Sequence, residues 1–137
     1  DTGHLMNALQ AKNERKGIRD VIRTIGRLPG EARQRIRAVH LHCSTPGTYL
    51  EERAHLPEGP GMTWKERARV QATHRRRIDE HRPFSDPACR EIVAMIRPDF
   101  LVHEFVANTP GTMQAALRQQ RVLIGKTGAS PAVLPGD

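Results

Sequence analysis

Two histidines and a glutamate lie beside two similar turns in this sequence of 137 residues. His42 stands shortly before a turn at residues 45–48, and His103 and Glu104 stand shortly before a second turn at residues 109–112. Imidazole can both accept and donate a proton near neutral pH, and a carboxylate can fix the orientation of an imidazole ring. We therefore predict a catalytic set in which His42 and His103 act as acid and base and Glu104 orients them.

Each turn has the sequence Thr-Pro-Gly-Thr and separates an apolar stretch from a helix-like stretch. A strand that leads through a glycine turn into a helix N-terminus directs backbone N–H groups toward one place, which suits an anion. Structural turns that cap helices are the simpler interpretation, and neither segment matches the dinucleotide or P-loop patterns. The residues predicted to bind an anion are Thr45, Thr48, Thr109 and Thr112.

Arginine is concentrated in residues 63–82, which we predict to form a helix that begins with a Thr63–Glu66 capping box and ends before Pro83. The chain has a net charge of +7, and 18 of its 22 Lys and Arg residues are arginine, whose planar donors match phosphate. A nucleic-acid contact surface explains this pattern. A solvated helix face, an acidic protein partner and the codon usage of a GC-rich genome are the alternatives. The predicted nucleic-acid contacts are Lys65, Arg67, Arg69, Arg75, Arg76 and Arg77.

The repetition around the two turns predicts the fold. Residues 38–43 alternate apolar and histidine side chains, and residues 100–106 form a more apolar run, so both are predicted strands. Two strand–turn–helix units favour a parallel sheet with the second strand buried at its centre, and residues 121–124 are the first candidate for a further strand. We predict a helix-dominated α+β or α/β domain over residues 1–124, with a small sheet and an internal duplication. Residues 125–137 are predicted to be a poorly ordered tail.

Apolar residues at spacings of three and four predict the remaining helices. Ile18, Val21 and Ile25 form one such stripe, and Gly17 is the predicted interruption of the segment that contains them. The predicted helical segments are residues 5–26, 29–37, 48–56, 87–96 and 113–124.

The two cysteines, Cys43 and Cys89, are too few for a secreted disulfide scaffold, and we expect free thiols. Cys43 beside His40 or His42 is an alternative nucleophile. No paired CxxC or HExxH pattern is present, so we expect neither a metal nor another cofactor, although four residues offer nitrogen and oxygen ligands for a small metal site. These four are His40, His42, His103 and Glu104.

The sequence also bears on the compartment. No apolar stretch approaches the roughly 20 residues that a membrane span needs, and the first residues lack the apolar core of a secretory signal. We therefore expect a cytoplasmic protein with no membrane partner. The chain begins at Asp1, which leaves open whether it is part of a longer protein.

Together these features predict a basic nucleic-acid-binding domain. Within that class we favour a small RNase or DNase effector of the toxin type that uses histidine side chains and is neutralised by an acidic partner protein. One alternative is a non-catalytic regulatory module that binds nucleic acid or protein. Another is an enzyme that acts on a small phosphorylated or sulfated ligand held at a turn. The expected partners are nucleic acid, an acidic inhibitor protein and a second copy of the chain.

Overall fold

The computed structural model describes residues 1–54, 61–106 and 109–125. Within these ranges the chain forms seven helices and two short strands, which confirms the helix-dominated α+β fold with a small sheet. The helices are α1 (Thr2–Ala8), α2 (Glu14–Gly26), α3 (Gly30–Gln34), α4 (Gly47–Ala54), α5 (Trp64–Ile78), α6 (Cys89–Ile96) and α7 (Pro110–Ile124), and the strands are β1 (Ala38–His40) and β2 (Phe100–Val102). All but the first residue of the predicted tail, and the end of the predicted helix 48–56, lie outside the described residues.

The two strands pair in parallel, as the repeated units predicted. Ala38 lies opposite Phe100 and His40 opposite Val102, and the Leu41 N–H extends the ladder by donating to the Val102 carbonyl over 2.8 Å. Each strand follows a short helix and precedes a loop and a further helix, α4 in the first unit and α7 in the second. Because the strands run the same way, the loops that carry the histidines leave one edge of the sheet.

Several predictions about strands are wrong. The first strand ends at His40 rather than at residue 43. The second strand stops at Val102 rather than residue 106 and is not central, because no further strand pairs with it in the described part of the chain and Phe100 is 66% exposed. Residues 121–124 are the last turn of α7 and not a strand. Their apolar members serve helix packing, since Ile124 is buried and Leu123 packs against the core at helical spacing.

The core forms where α2 packs against α6 over the sheet. Ile18, Val21 and Ile25 are buried on α2. The buried residues of α6 are Cys89, Ile92, Val93 and Ile96. Each stripe repeats every three or four residues, so one helical face buries them all. Burial of each such side chain contributes roughly 1.5–3 kcal/mol.

The break between α1 and α2 lies at residues 9–13 and not at Gly17. Asn13 begins α2, because its side chain accepts a hydrogen bond from the Lys16 N–H over 2.9 Å. Gly17 is instead a buried contact between helices, since a methyl group there would lie 2.2 Å from Cε of Met6 on α1. The glycine therefore allows close packing within a continuous helix.

Candidate functional site

Seven ionisable side chains meet at the edge of the sheet where both strands end. We call this group the histidine cluster. It consists of Asp1, His4, His40, His42, Asp79, His81 and Glu104. Four separate parts of the chain supply it: the start of α1, the end of β1, the segment after α5 and the segment after β2. The carboxyl ends of parallel strands are a common place for binding sites.

His42 is the buried centre of the cluster, with no exposed side-chain surface. Its Nε2 lies 2.9 Å from the Asp1 carboxylate, while Nδ1 has no hydrogen-bond partner. An ionised carboxylate only accepts hydrogen bonds, so the proton resides on Nε2 and Nδ1 keeps its lone pair. Burial, followed by the nearby His81, lowers the pKa of His42 to about 4 against the opposing pull of neighbouring carboxylates. The ring is therefore neutral at physiological pH.

Helix α1 holds His42 in place. The Thr2 hydroxyl accepts a hydrogen bond from the His42 N–H over 3.0 Å and lies 2.7 Å from the His42 carbonyl, to which it donates. Gly3 lies directly against the imidazole ring. The backbone of β1 and the first turn of α1 thus position this histidine together.

Two further histidines surround His42. The His81 ring stacks on it, with ring centroids 4.2 Å apart and ring planes 2° apart. The His4 ring stands edge-on to both, at 5.7 Å from His42 and 5.9 Å from His81. His81 adopts a left-handed backbone with φ of 44°, a conformation that costs of order 1–3 kcal/mol for a residue other than glycine and concentrates at functional sites.

The three carboxylates link the histidines. Asp79 lies 3.1 Å from His4 Nε2 and 3.1 Å from His81 Nδ1. Glu104 accepts a hydrogen bond from His40 Nδ1 over 2.8 Å and lies 3.5 Å from His81 Nε2. The hydrogen bond from His40 lowers the pKa of Glu104. His40 and Glu104 are about half exposed and His4 is 57% exposed, so a substrate can reach these side chains but not the buried His42.

The structure brings together two of the three predicted catalytic residues, His42 and Glu104, and separates them from His103. His103 lies outside the histidine cluster, although it adjoins Glu104 in the sequence. It packs beside Phe105, with ring centroids 5.9 Å apart, and its Nδ1 is buried without a partner. Burial and the nearby Arg121 lower its pKa.

Sequence reasoning did not find Asp1, His4, Asp79 or His81. Asp1 and His4 are one local pair and Asp79 and His81 another, but the cluster forms only when four distant segments meet. One signal was available: Asp79 and His81 lie near the end of the arginine-rich segment 63–82, where they interrupt its pattern of basic residues. The sequence indicated His40 as a possible metal ligand and as a neighbour of a Cys43 nucleophile, but not as a general base.

The first Thr-Pro-Gly-Thr segment directs its donors at a carboxylate of the same chain. The Thr45 N–H and hydroxyl donate to Glu80 over 2.9 and 3.2 Å, and Arg82 donates to the Thr45 hydroxyl over 3.1 Å. Thr48 is exposed in the first turn of α4. Anion binding by this segment stays a prediction, and an incoming anion would have to displace Glu80.

The second segment caps α7. The N–H groups of Thr109 and Thr112 each donate to the other residue's hydroxyl, over 3.1 and 3.2 Å. Both donors that the anion prediction needs are therefore engaged in the helix cap. Anion binding here also stays a prediction.

Helix α5 is a cationic surface. It begins with the predicted capping box, in which Thr63 and Glu66 bond each other reciprocally. No residue of α5 is buried, and in the part of the chain that the structure describes none of its arginines forms an ion pair with a carboxylate. The six predicted nucleic-acid contacts are all exposed: Lys65, Arg67, Arg69, Arg75, Arg76 and Arg77.

One side of α5 rests on α4. His74 Nδ1 lies 3.1 Å from the Tyr49 hydroxyl, and the Arg77 guanidinium lies 5.2 Å from the centre of the Tyr49 ring. At 100° per residue, Lys65, Arg69 and Arg76 fall on a common stripe away from this contact. The cationic stripe therefore faces outward.

A shallow depression of about 310 Å³ lies at the C-terminal end of α5 and extends to Asp79 of the histidine cluster. It is lined by Arg75, Arg76, Ile78 and Asp79. Two guanidinium groups thus border the same open space as one carboxylate of the cluster.

Both cysteine thiols are free and buried, as predicted. Burial raises the pKa of Cys43 to about 12 and that of Cys89 to about 11. The thiolate is the nucleophilic form, so Cys43 is held in its unreactive state. The geometry gives no support to a cysteine nucleophile.

Comparison with family models, curated proteins and solved structures finds no match to this chain. Among the described residues, no helix is both long and apolar enough to cross a membrane.

Proposed function

We propose that this chain binds nucleic acid along α5 and cleaves a phosphodiester bond at the histidine cluster. One observation carries the proposal: an exposed helix with six basic side chains and a single acidic one, Glu66, ends at residue 78 and leads directly into Asp79 and His81. A surface for the phosphate backbone and a set of proton-transfer groups are therefore neighbours in both sequence and space.

The dimensions of the cationic stripe suit a nucleic-acid strand. Lys65 and Arg76 are eleven residues apart in the sequence, which is about 16 Å along the helix axis. One strand of a duplex rises about 3.4 Å per phosphate, so the stripe spans roughly five phosphates. Cations crowded on one helix repel one another, and phosphate contacts relieve that repulsion while releasing counterions.

The accessible His40–Glu104 pair is suited to general base catalysis. Glu104 holds the Nδ1 side of the ring, which leaves Nε2 available to take a proton from the attacking water or ribose 2′-hydroxyl. The attacking oxygen forms a new P–O bond, the P–O bond to the leaving nucleoside breaks, and the leaving oxygen takes a proton from solvent. His42 is fully buried, so it packs beneath the accessible residues of the cluster and does not contact substrate. Arg75 and Arg76 border the depression beside the cluster, where they stabilise the charge that develops on the phosphorus centre.

This assignment moves the base from the predicted His42 and His103 to His40. A substrate can reach His40 but not His42, because the His40 side chain is 48% exposed and the His42 side chain is fully covered. Glu104 keeps its predicted role as the orienting residue, through its 2.8 Å hydrogen bond to His40.

The test is a cleavage assay with end-labelled single-stranded RNA, single-stranded DNA and duplex DNA, each with and without chelator. We expect the wild-type chain to cleave at least one polymer. His40→Ala and Glu104→Gln should reduce the cleavage rate about 10²–10⁴-fold and leave the affinity for the polymer unchanged. Cleavage of RNA but not of DNA would indicate that the 2′-hydroxyl is the attacking group.

The matched control is His103→Ala, which removes a histidine near the same strand but outside the cluster. Its cleavage rate should equal that of the wild type. Binding without cleavage by the wild-type chain, or an unchanged rate in His40→Ala with normal circular dichroism, would contradict the catalytic half of the proposal.

A further inference from the structure

Within the histidine cluster, four residues bring their donor atoms together. His4, His42, Asp79 and His81 each offer one nitrogen or oxygen atom, and these four atoms lie within 4.8 Å of one another. Three imidazoles and one carboxylate are the ligand types of a zinc site. The four come from three chain segments that the fold brings to one place.

In two of these histidines, the Nε2 atom already faces a carboxylate. Asp1 accepts from His42 Nε2 at 2.9 Å, and Glu104 lies 3.5 Å from His81 Nε2. Metal-binding histidines almost always donate their second ring nitrogen to a carboxylate, carbonyl or water, which fixes the tautomer and leaves the other nitrogen as the ligand. Here Asp1 and Glu104 are the carboxylates beside the second ring nitrogens of His42 and His81.

Two polar atoms of these four residues lack hydrogen-bond partners, whereas His4 Nε2 and His81 Nδ1 both contact Asp79. The Nδ1 atom of His42 is buried without a hydrogen bond, although the whole side chain is enclosed. The Oδ1 atom of Asp79 is also buried without a hydrogen bond, even though it lies 3.1 Å from His81 Nδ1. An unpaired buried polar group is costly, and two in one cluster indicate that something outside the protein satisfies them.

We propose that His4, His42, Asp79 and His81 bind one divalent transition metal ion of the zinc class. This goes beyond the sequence, which gave no metal motif and led us to expect no metal. Imidazole ligands favour zinc, cobalt and nickel over magnesium and calcium, which prefer oxygen. Bonds of about 2.0–2.1 Å in a tetrahedral site place donors about 3.3 Å apart. The donors here lie within 4.8 Å of one another, so the most widely separated pair closes in by at most about 1.5 Å on binding.

The site stands without the proposed nuclease activity, because it rests on donor geometry alone. A metal ion bound there would lie beside the His40–Glu104 pair. Binding is measured in the absence of nucleic acid, so failure of the metal site and failure of cleavage are separate results.

The experiment is titration of Zn²⁺ into the chelator-stripped full chain without a polyhistidine tag, followed by calorimetry. Co²⁺ titration followed by visible absorption reports the coordination geometry. We expect one equivalent of metal per chain and the intense absorption of a tetrahedral cobalt site. Asp79→Asn and His81→Asn should each weaken Zn²⁺ binding by at least about 10-fold.

Asparagine is chosen at position 81 because it tolerates the left-handed backbone that His81 adopts. The controls are His74→Ala and His103→Ala, which remove histidines outside the cluster and should leave Zn²⁺ affinity unchanged. Absence of Zn²⁺ uptake by the wild-type chain would overturn the proposal. So would equal affinity in all four variants, provided that thermal melts show them to be folded.

Discussion

Gly3 on α1 lies against the imidazole ring of His42 with no room for a methyl group between them. An ideal Cβ at Gly3 would stand 2.1 Å from His42 Cε1 and 2.3 Å from Nδ1. The first turn of α1 therefore forms one wall of the histidine cluster. Absence of a side chain at position 3 is what permits the buried position of His42.

Gly3→Ala should destabilise the protein. Alanine is the better helix former by about 1 kcal/mol, but the methyl group forces His42 or α1 to move, which typically costs 1–3 kcal/mol. We expect a lower free energy of unfolding in urea together with weaker Zn²⁺ binding, because the displaced ring carries a proposed ligand.

Gly26→Ala is the matched control for this substitution. A Cβ there would meet nothing within 4 Å, so this variant should be as stable as the wild type or more stable by up to about 1 kcal/mol. A Gly3→Ala protein as stable as Gly26→Ala would show that His42 does not occupy the buried position described above.

A second prediction concerns Glu14, the first residue of α2, which forms hydrogen bonds with the segment after α5. Its carboxylate accepts hydrogen bonds from Ser85 N–H over 2.6 Å, Asp86 N–H over 2.6 Å and Arg82 over 3.1 Å. Burial raises the pKa of Glu14, but these hydrogen bonds outweigh it and leave the pKa below the ordinary value of 4.5. The ionised carboxylate is thus bound more tightly in the folded chain than the protonated form.

Glu14→Gln should lower the free energy of unfolding at pH 7 by about 1–3 kcal/mol. The stabilisation by Glu14 is fully present above pH 4.5 and is lost as the pH falls through the lowered pKa of the folded state. The stability difference between wild type and variant should therefore shrink as the pH drops below 4.5. Urea unfolding at several pH values measures it, with the exposed Glu31→Gln as the control. A difference that grows in acid would contradict this account.

Local signals allowed the helices to be predicted. The Thr63–Glu66 capping box needs only residues three apart, and the stripe of Ile18, Val21 and Ile25 needs only one helix face. The parallel strands followed from a repeated unit. These features depend on short stretches of chain, so their residue types alone determine them.

The candidate site depends on contacts between distant segments. His4 and His81 are 77 residues apart in the sequence and meet only because α1 and the end of α5 converge on β1. Conversely, His103 stands next to Glu104 in the sequence and yet lies outside the cluster, where its ring packs beside Phe105. Phe100 was also predicted to be buried, because it belongs to an apolar strand. Whether such a strand is buried depends on how many strands lie beside it, which the residues of the strand alone do not reveal.

The proposed function depends most directly on nucleic-acid binding by α5, and the salt dependence of oligonucleotide affinity tests it. We expect log K to fall steeply and linearly with log salt for the wild type. Arg69→Ala combined with Arg76→Ala should weaken binding and reduce the slope by about 0.7–0.9 for each lost phosphate contact. Arg19→Ala combined with Arg118→Ala removes the same charge from exposed positions outside α5 and should leave the slope unchanged. A flat salt dependence, or equal effects of the two double variants, would contradict the account.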